Sequence, residues 1–325
     1  MASLKDVAKL AGVSLMTVSR AINSPEQLSK KTYLLVKQAI EELNYVPNLS
    51  AQKIRGAGSA NQSIGVLSLD IATTPFSVEI LLAIEKTVRK YGWNSFIVNT
   101  FDDNLDQAVE TLISHRPTAI IIARSGLQKI HIPSALRSYP IVLANCLSDD
   151  VELASYIPND EQGQYEATQL LIEKGYKKPL CLFLEEDAPA TQARFQGFKR
   201  AILGKDIVFT EPFFLKDDYL EILQPLQEML RKRPLECDVI VCGNDRIALI
   251  AYQYLLSQGV SIPQDIAIIG FDNMVGVADL FYPALTTVQL PHYEIGEQAT
   301  LHLIEGREHR TVQRIECPLI SRSSC

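Results

Sequence analysis

Leu4, Val7, Ala8, Leu10 and Ala11 recur at helical spacing between Ser3 and Gly12. That pattern predicts a short helix with one apolar face, opened by a Ser3/Asp6 capping box and stopped at the glycine. Ser14 can cap a second helix to about Ile22, with Val18, Ala21 and Ile22 facing inward and Leu15, Met16, Thr17, Ser19 and Arg20 left outside. After the break at Asn23-Ser24-Pro25-Glu26, Ser29 caps a third helix carrying Leu35, Val36, Ala39, Ile40 and Leu43. Three helices in under fifty residues, with a four-residue turn between the first two, read as helix-turn-helix.

Tyr45-Val46-Pro47-Asn48 closes this unit. A short helical segment, Leu49 to Arg55, precedes a Gly/Ser/Ala/Asn connector over residues 56–63. From Ile64 onward, short apolar runs alternate with amphipathic helices. Strands are predicted at Ile64–Leu69, Ser95–Asn99, Ala119–Ala123 and Ile141–Ala144, with helices near 75–91 and 104–115. A second series places strands at Leu180–Leu184, Val239–Cys242 and Ala267–Phe271, with helices near 161–174, 190–203, 219–232 and 245–258. Each series predicts a doubly wound parallel sheet. The fold class is therefore α/β: a three-helix head over 1–47, a hinge helix and linker over 48–62, and a two-lobed core over 63–325. Sheets of this kind bind ligands beyond the carboxyl ends of their strands, so two facing lobes predict a cleft between them.

Composition changes this picture in two places. The chain of 325 residues is 47% hydrophobic, enough for two or three folded units, yet no apolar run is long enough for a membrane span and no signal peptide opens it. No membrane partner is expected, and the cytoplasm is the expected location. The net charge of −7 hides an asymmetry, because residues 1–60 carry eight Lys/Arg against four Asp/Glu and the rest is strongly acidic. A small basic head on an acidic body suits phosphate contacts at one end only. The six cysteines form no C-x-x-C pair and lie mostly in apolar stretches, which predicts buried thiols and neither disulfide nor zinc.

Ala11-Gly12-Val13-Ser14-Leu15-Met16-Thr17-Val18-Ser19-Arg20 and Asn44-Tyr45-Val46-Pro47-Asn48 resemble the signature of the LacI/GalR family of repressors. Gly270-Phe271-Asp272-Asn273, Leu285-Thr286-Thr287-Val288 and Pro318-Leu319-Ile320-Ser321-Arg322 extend the resemblance across the whole chain. The residues 72–85 and Gln289-Leu290-Pro291-His292 are most similar to the branch of the family that controls sucrose operons. The resemblance implies a periplasmic-binding-protein-like core, a homodimer on a near-palindromic double-stranded operator, and a small sugar effector such as sucrose or fructose. It implies no cofactor and no metal.

On the DNA side, Arg20 sits near the exposed end of the second helix, where a guanidinium can address guanine O6 and N7 or pair with a phosphate. Leu15 and Met16 can touch thymine methyls, while Ser14, Thr17, Ser19 and Asn23 suit phosphate anchoring. Tyr45, Asn48 and Ala51 complete the expected DNA-facing set. By resemblance, Ile54 is the hinge residue that wedges into the minor groove, and it can equally pack two hinges together. In the cleft, Asp272 follows a strand, and Arg194 and Asn244 match family positions that hold the effector. Asn145 faces them from the first lobe, Phe76 offers an apolar wall, and His292 lines the base or serves the fold. Asp245 is expected to cap the following helix, and Asp160 is ambiguous because Asn159-Asp160 inverts the family's usual order.

Two other functions make different demands on the sequence. An enzyme would need a nucleophile elbow, a P-loop, a dinucleotide fingerprint or a metal-ligand cluster, and none is present in the sequence. A periplasmic sugar-binding protein would share the two lobes but would need a signal peptide and would lack the helix-turn-helix. Within the regulator reading, the sugar can release the operator or recruit it.

Overall fold

Ser3, Ser14 and Ser29 each open a helix in the computed structural model, which describes residues 2–45, 62–71, 75–100, 104–209, 211–232, 234–274 and 276–325. In α1 (Leu4–Ala11) the Asp6 amide donates to Ser3 Oγ and the Ser3 amide donates to Asp6 Oδ2 at 2.8 Å, and Gly12 ends the helix at φ +63°. This is the capping box read from sequence. The Thr17 amide bonds Ser14 Oγ at 3.1 Å to start α2 (Leu15–Asn23), and the Thr32 amide bonds Ser29 Oγ at 3.2 Å to start α3 (Lys30–Glu42). Helices this short do not persist alone in water. They hold because Val7, Val18 and Val36, all fully buried, meet with Ala8, Ala21 and Ala39 in one small core.

The chain divides into two units, Met1–Gln62 and Ser63–Cys325. The second opens with β1 (Ser63–Leu69), α4 (Pro75–Lys90), β2 (Asn94–Thr100), α5 (Leu105–Ser114), β3 (Ala119–Arg124), β4 (Lys129–Ile130), β5 (Ile141–Ala144), β6 (Leu147–Ser148) and β7 (Ala154–Pro158). It continues through α6 (Asp160–Glu173), β8 (Pro179–Phe183), α7 (Pro189–Ile202), β9 (Phe213–Phe214), α8 (Leu223–Arg231), β10 (Val239–Cys242), α9 (Asp245–Ser257), β11 (Ala267–Ile269) and β12 (Thr287–Val288). The last elements are α10 (His292–Glu305), β13 (Val312–Ile315) and β14 (Leu319–Ile320).

Ten of these strands form two parallel sheets, ordered β13-β7-β5-β3-β1-β2 and β11-β10-β8-β9, and β4 pairs with β6 and β12 with β14 in two-stranded sheets. β1, β3, β5 and β10 are apolar and almost entirely buried, as strands covered on both faces must be. The strand order reverses direction between β1 and β3 in the first sheet and between β8 and β10 in the second. Those are the two crevices where this architecture receives ligands.

The lobes are not consecutive halves of the sequence. After β12 the chain returns to the first lobe, where α10 packs on α4 and β13 pairs with β7. It then crosses back so that β14 pairs antiparallel with β12. Three crossings therefore join the lobes, and they are tied sideways: Asn159 N–H donates to Ile315 O and Gln289 N–H to Pro318 O, both at 2.8 Å. The predicted helix near 219–232 is divided, a 3-10 turn over Tyr219–Ile222 preceding α8. All six cysteines are free, and burial pushes the Cys146 thiol up to about 12. No described helix is long and apolar enough to cross a membrane.

Candidate DNA-facing helix and effector cleft

Val18 and Ala21 turn into the head's core, leaving Leu15 and Met16 43% and 65% exposed and Arg20 exposed at the end of α2. Ser14 spends its hydroxyl on the Thr17 amide and on Thr17 Oγ1, so it acts first as a helix cap. Thr17 and Ser19 are half-buried, and Tyr45 packs against the head's core. Asn23 closes α2, but its side chain lies outside the described residues, as do Asn48, Ala51 and Ile54 altogether.

In the second lobe the functional side chains converge on Arg194, which α7 holds 5% exposed at the carboxyl end of the sheet. Its Nε donates to Asp160 Oδ1 at 2.8 Å and one terminal nitrogen donates to Gly243 O at 2.5 Å. That same nitrogen lies 3.5 Å from Asp272 Oδ1, and the guanidinium stacks 3.7 Å above the centre of the Phe271 ring. Asp272 sits in a left-handed backbone conformation, φ +116°, after β11. Its amide donates to Val288 O at 2.7 Å and its carbonyl accepts from the Leu290 amide, which fastens it to the second crossing. Burial pushes its carboxyl up to about 8, with Arg194 pulling the other way and Asp245 and Asp160 adding to the rise.

Asn244 and Asp245 exchange one expected role. Asn244, with extended backbone, places Oδ1 over the Ile247 amide at 3.0 Å and is the cap of α9, while its Nδ2 donates to Tyr219 Oη at 3.0 Å. Asp245 is the first helical residue, fully buried, and accepts from the Met274 amide and from Thr287 Oγ1, both at 2.7 Å. It clamps the loop that carries Asp272, and burial pushes it up to about 6. The expectation that Asp245 caps α9 is therefore corrected.

In the first lobe Asn145, 2% exposed at φ +57°, donates its amide to Arg124 O and Ser125 O, both at 3.1 Å, tying the end of β5 to the end of β3. Beside it Asp70 pairs with Arg124 at 3.1 Å across the β1/β3 crevice. A cavity of about 260 Å³ opens there, lined by Leu69, Asp70, Thr100, Arg124 and Lys129 among others. No motif in the sequence marks Asp70 or Arg124, although each directly follows a predicted strand. His292, 3% exposed, is the first residue of α10 at the second crossing. Phe76 lies in the first turn of α4, and its side chain is outside the described residues.

Asp160 resolves from ambiguous to central. It opens α6, is 2% exposed, and gives one oxygen to Arg194 while the other has no hydrogen-bond partner. A guanidinium fork and a neighbouring carboxylate are the donor and acceptor that a pair of adjacent hydroxyls requires.

The profile of bacterial regulatory proteins of the lacI family matches residues 3–48, and that of periplasmic binding proteins and the sugar binding domain of the LacI family matches residues 61–323. The chain belongs to the LacI family. Sucrose operon repressors from Shigella flexneri and Escherichia coli are 51% identical to it over the full length of both chains. The HTH-type transcriptional repressor PurR of Aliivibrio fischeri is 30% identical, covering all of this chain and 98% of that protein. The Lac repressor dimer bound to operator and an anti-inducer superposes with a TM-score of 0.84 at 24% identity, covering 99% of this chain and 98% of that one. At that identity the likeness establishes the fold. As a LacI-family member the chain is a DNA-binding transcriptional repressor, with α2 in its DNA-binding domain and Arg194 and Asp272 in its sugar-binding domain.

Proposed function

We propose that this LacI-family repressor silences a sugar-utilisation operon and leaves its operator when sucrose, fructose or a closely related sugar enters the cleft. The observation that carries the reading is Arg194, buried and aimed by Asp160, Gly243 and Phe271 beside the carboxyl of Asp272. Asp272 accepts from sugar hydroxyls, Arg194 donates to them, and Asn145, Asn244 and His292 shape the remainder. The sucrose operon repressors at 51% identity support the choice of sugar. The protein works in the cytoplasm as a homodimer on a near-palindromic operator. Val78 and Leu82 on α4, and Leu280 and Tyr282 in the second lobe, are apolar and well exposed, and support a surface for a second copy.

Calorimetric titration with a panel of sugars tests this, alongside Asp272→Ala. Because hydrogen bonds to a charged group contribute about 1.5–3 kcal/mol, the variant should bind sucrose or fructose about tenfold or more weakly. Its operator binding without sugar should persist. Unchanged sugar affinity in a folded variant would move the site away from Asp272.

A further inference from the structure

Asp160 is a buried acid that holds Arg194 but is given no contact of its own with the sugar. The Asn159 side chain makes no cap on α6, Asp160 points one oxygen at Arg194 Nε 2.8 Å away, and its second oxygen is buried without a partner. A carboxylate kept for helix capping would spend its oxygens on amides of its own first turn. This one instead reaches across to α7. The reach is possible because α6 and α7 touch backbone to backbone: a Cβ on Gly197 would lie 2.1 Å from Glu161 O. The helix that follows the first crossing thereby fixes the guanidinium of the second lobe.

Charge counting around Arg194 sets the consequence. Asp160 on α6, Asp272 after β11 and Asp245 on α9 surround a single buried guanidinium. The other groups facing the cluster are Arg246 on α9, beside Tyr219; Arg322 after β14, which bonds Leu285 O and Asn273; and the Cys317 thiol, pushed up by burial and by Asp160. Three buried carboxylates beside one guanidinium cannot all ionise without cost, so one holds a proton. Burial pushes the Asp160 carboxyl up as well, with Arg194 pulling the other way, but Asp160 is held by Arg194 Nε and Asp245 by the Met274 amide and Thr287, while Asp272, at 3.5 Å, is the most weakly paired of the three.

We infer that Asp160 is a positioning residue for the effector: it aims Arg194 and, by crowding Asp272 with negative charge, makes sugar binding release a proton. The inference rests on the reading of Arg194 and Asp272 as the sugar site. Sugar hydroxyls donate best to an ionised carboxylate, so binding converts the Asp272 carboxyl to carboxylate and its proton leaves to solvent. The direction agrees with a carboxyl pushed up to about 8 in the unliganded protein.

The test is calorimetric titration of the full-length protein with sucrose and with fructose from about pH 6 to about pH 9, in paired buffers of different ionisation enthalpy. Wild type should release close to one proton at neutral pH, and its affinity should rise by up to about tenfold per pH unit before levelling above about pH 8. Asp160→Asn should bind about tenfold more weakly at high pH, with its pH dependence moved to lower pH because Asp272 has lost a negative neighbour. Weakening of Asp160→Asn by one factor at every pH would show a merely structural acid and overturn the inference. So would a wild type that binds sugar with no proton released. If Asp160→Asn does not fold, Asp272→Asn decides: it should bind weakly with no proton released, and persistent release overturns the inference. A wild type that binds neither sugar at any pH would instead overturn the sugar-site reading itself.

Discussion

Arg194 meets Asp160 through Nε, Gly243 O and Asp272 through a terminal nitrogen, and Phe271 through its plane. Lysine has neither the fork nor the flat face, so Arg194→Lys would leave buried acceptors unmet. At about 1–3 kcal/mol for each lost partner, the variant should lower core stability measurably in urea and weaken sugar binding. Asp272 carries a pH signature of its own. Its folded carboxyl, near 8, lies above the unfolded value, so the stability it contributes is fully present below about pH 4 and is lost as pH rises through 8. Asp272→Asn should therefore flatten the fall in melting temperature of the sugar-free protein between about pH 6 and about pH 9, and a slope identical to wild type would show that other groups set it. On the DNA side, exposed Arg20 predicts that Arg20→Ala costs about 1–3 kcal/mol on operator and blunts discrimination at one base pair per half-site. Equal weakening on operator and random DNA in a mobility-shift titration would reduce Arg20 to a phosphate contact.

At the level of elements, legibility followed how much of each element's logic is local. The head's helices announce themselves through Ser3, Ser14 and Ser29 and through the small apolar residues Val7, Val18 and Val36. α10 was not foreseen because its buried side carries Gly296, Thr300 and His302 among the apolar residues, which blurs the helical period. β13 was missed because Val312-Gln313-Arg314-Ile315 is a half-exposed edge strand, and β7 because Ala154-Ser155-Tyr156-Ile157-Pro158 is fully buried yet not uniformly apolar. Asp160 is ambiguous in the sequence, since its partner Arg194 lies 34 residues away across a helix seam. That seam gives a prediction: Gly197→Ala forces a methyl into Glu161 O and should cost about 1–3 kcal/mol or more of stability by thermal or urea unfolding. It should also loosen sugar binding by parting Asp160 from Arg194, whereas a fully stable variant with wild-type affinity would mean the seam has slack.

For the whole molecule, the core's three tied crossings suit two lobes that move as bodies about a shared hinge. In the proposed reading a sugar held by Arg194 and Asp272 favours one arrangement of those lobes, and operator DNA favours another. In that reading sugar and operator bind different residues, so their effect on each other passes through that choice. Linkage makes the effect reciprocal: the factor by which sugar weakens operator binding equals the factor by which operator weakens sugar binding. The direct measurement is the affinity for sucrose or fructose with and without saturating operator duplex, at fixed salt. The account predicts weaker sugar binding on the operator, by the same factor as sugar lowers operator affinity. Equal affinities would contradict it, and tighter sugar binding on the operator would reverse the switch to co-repression.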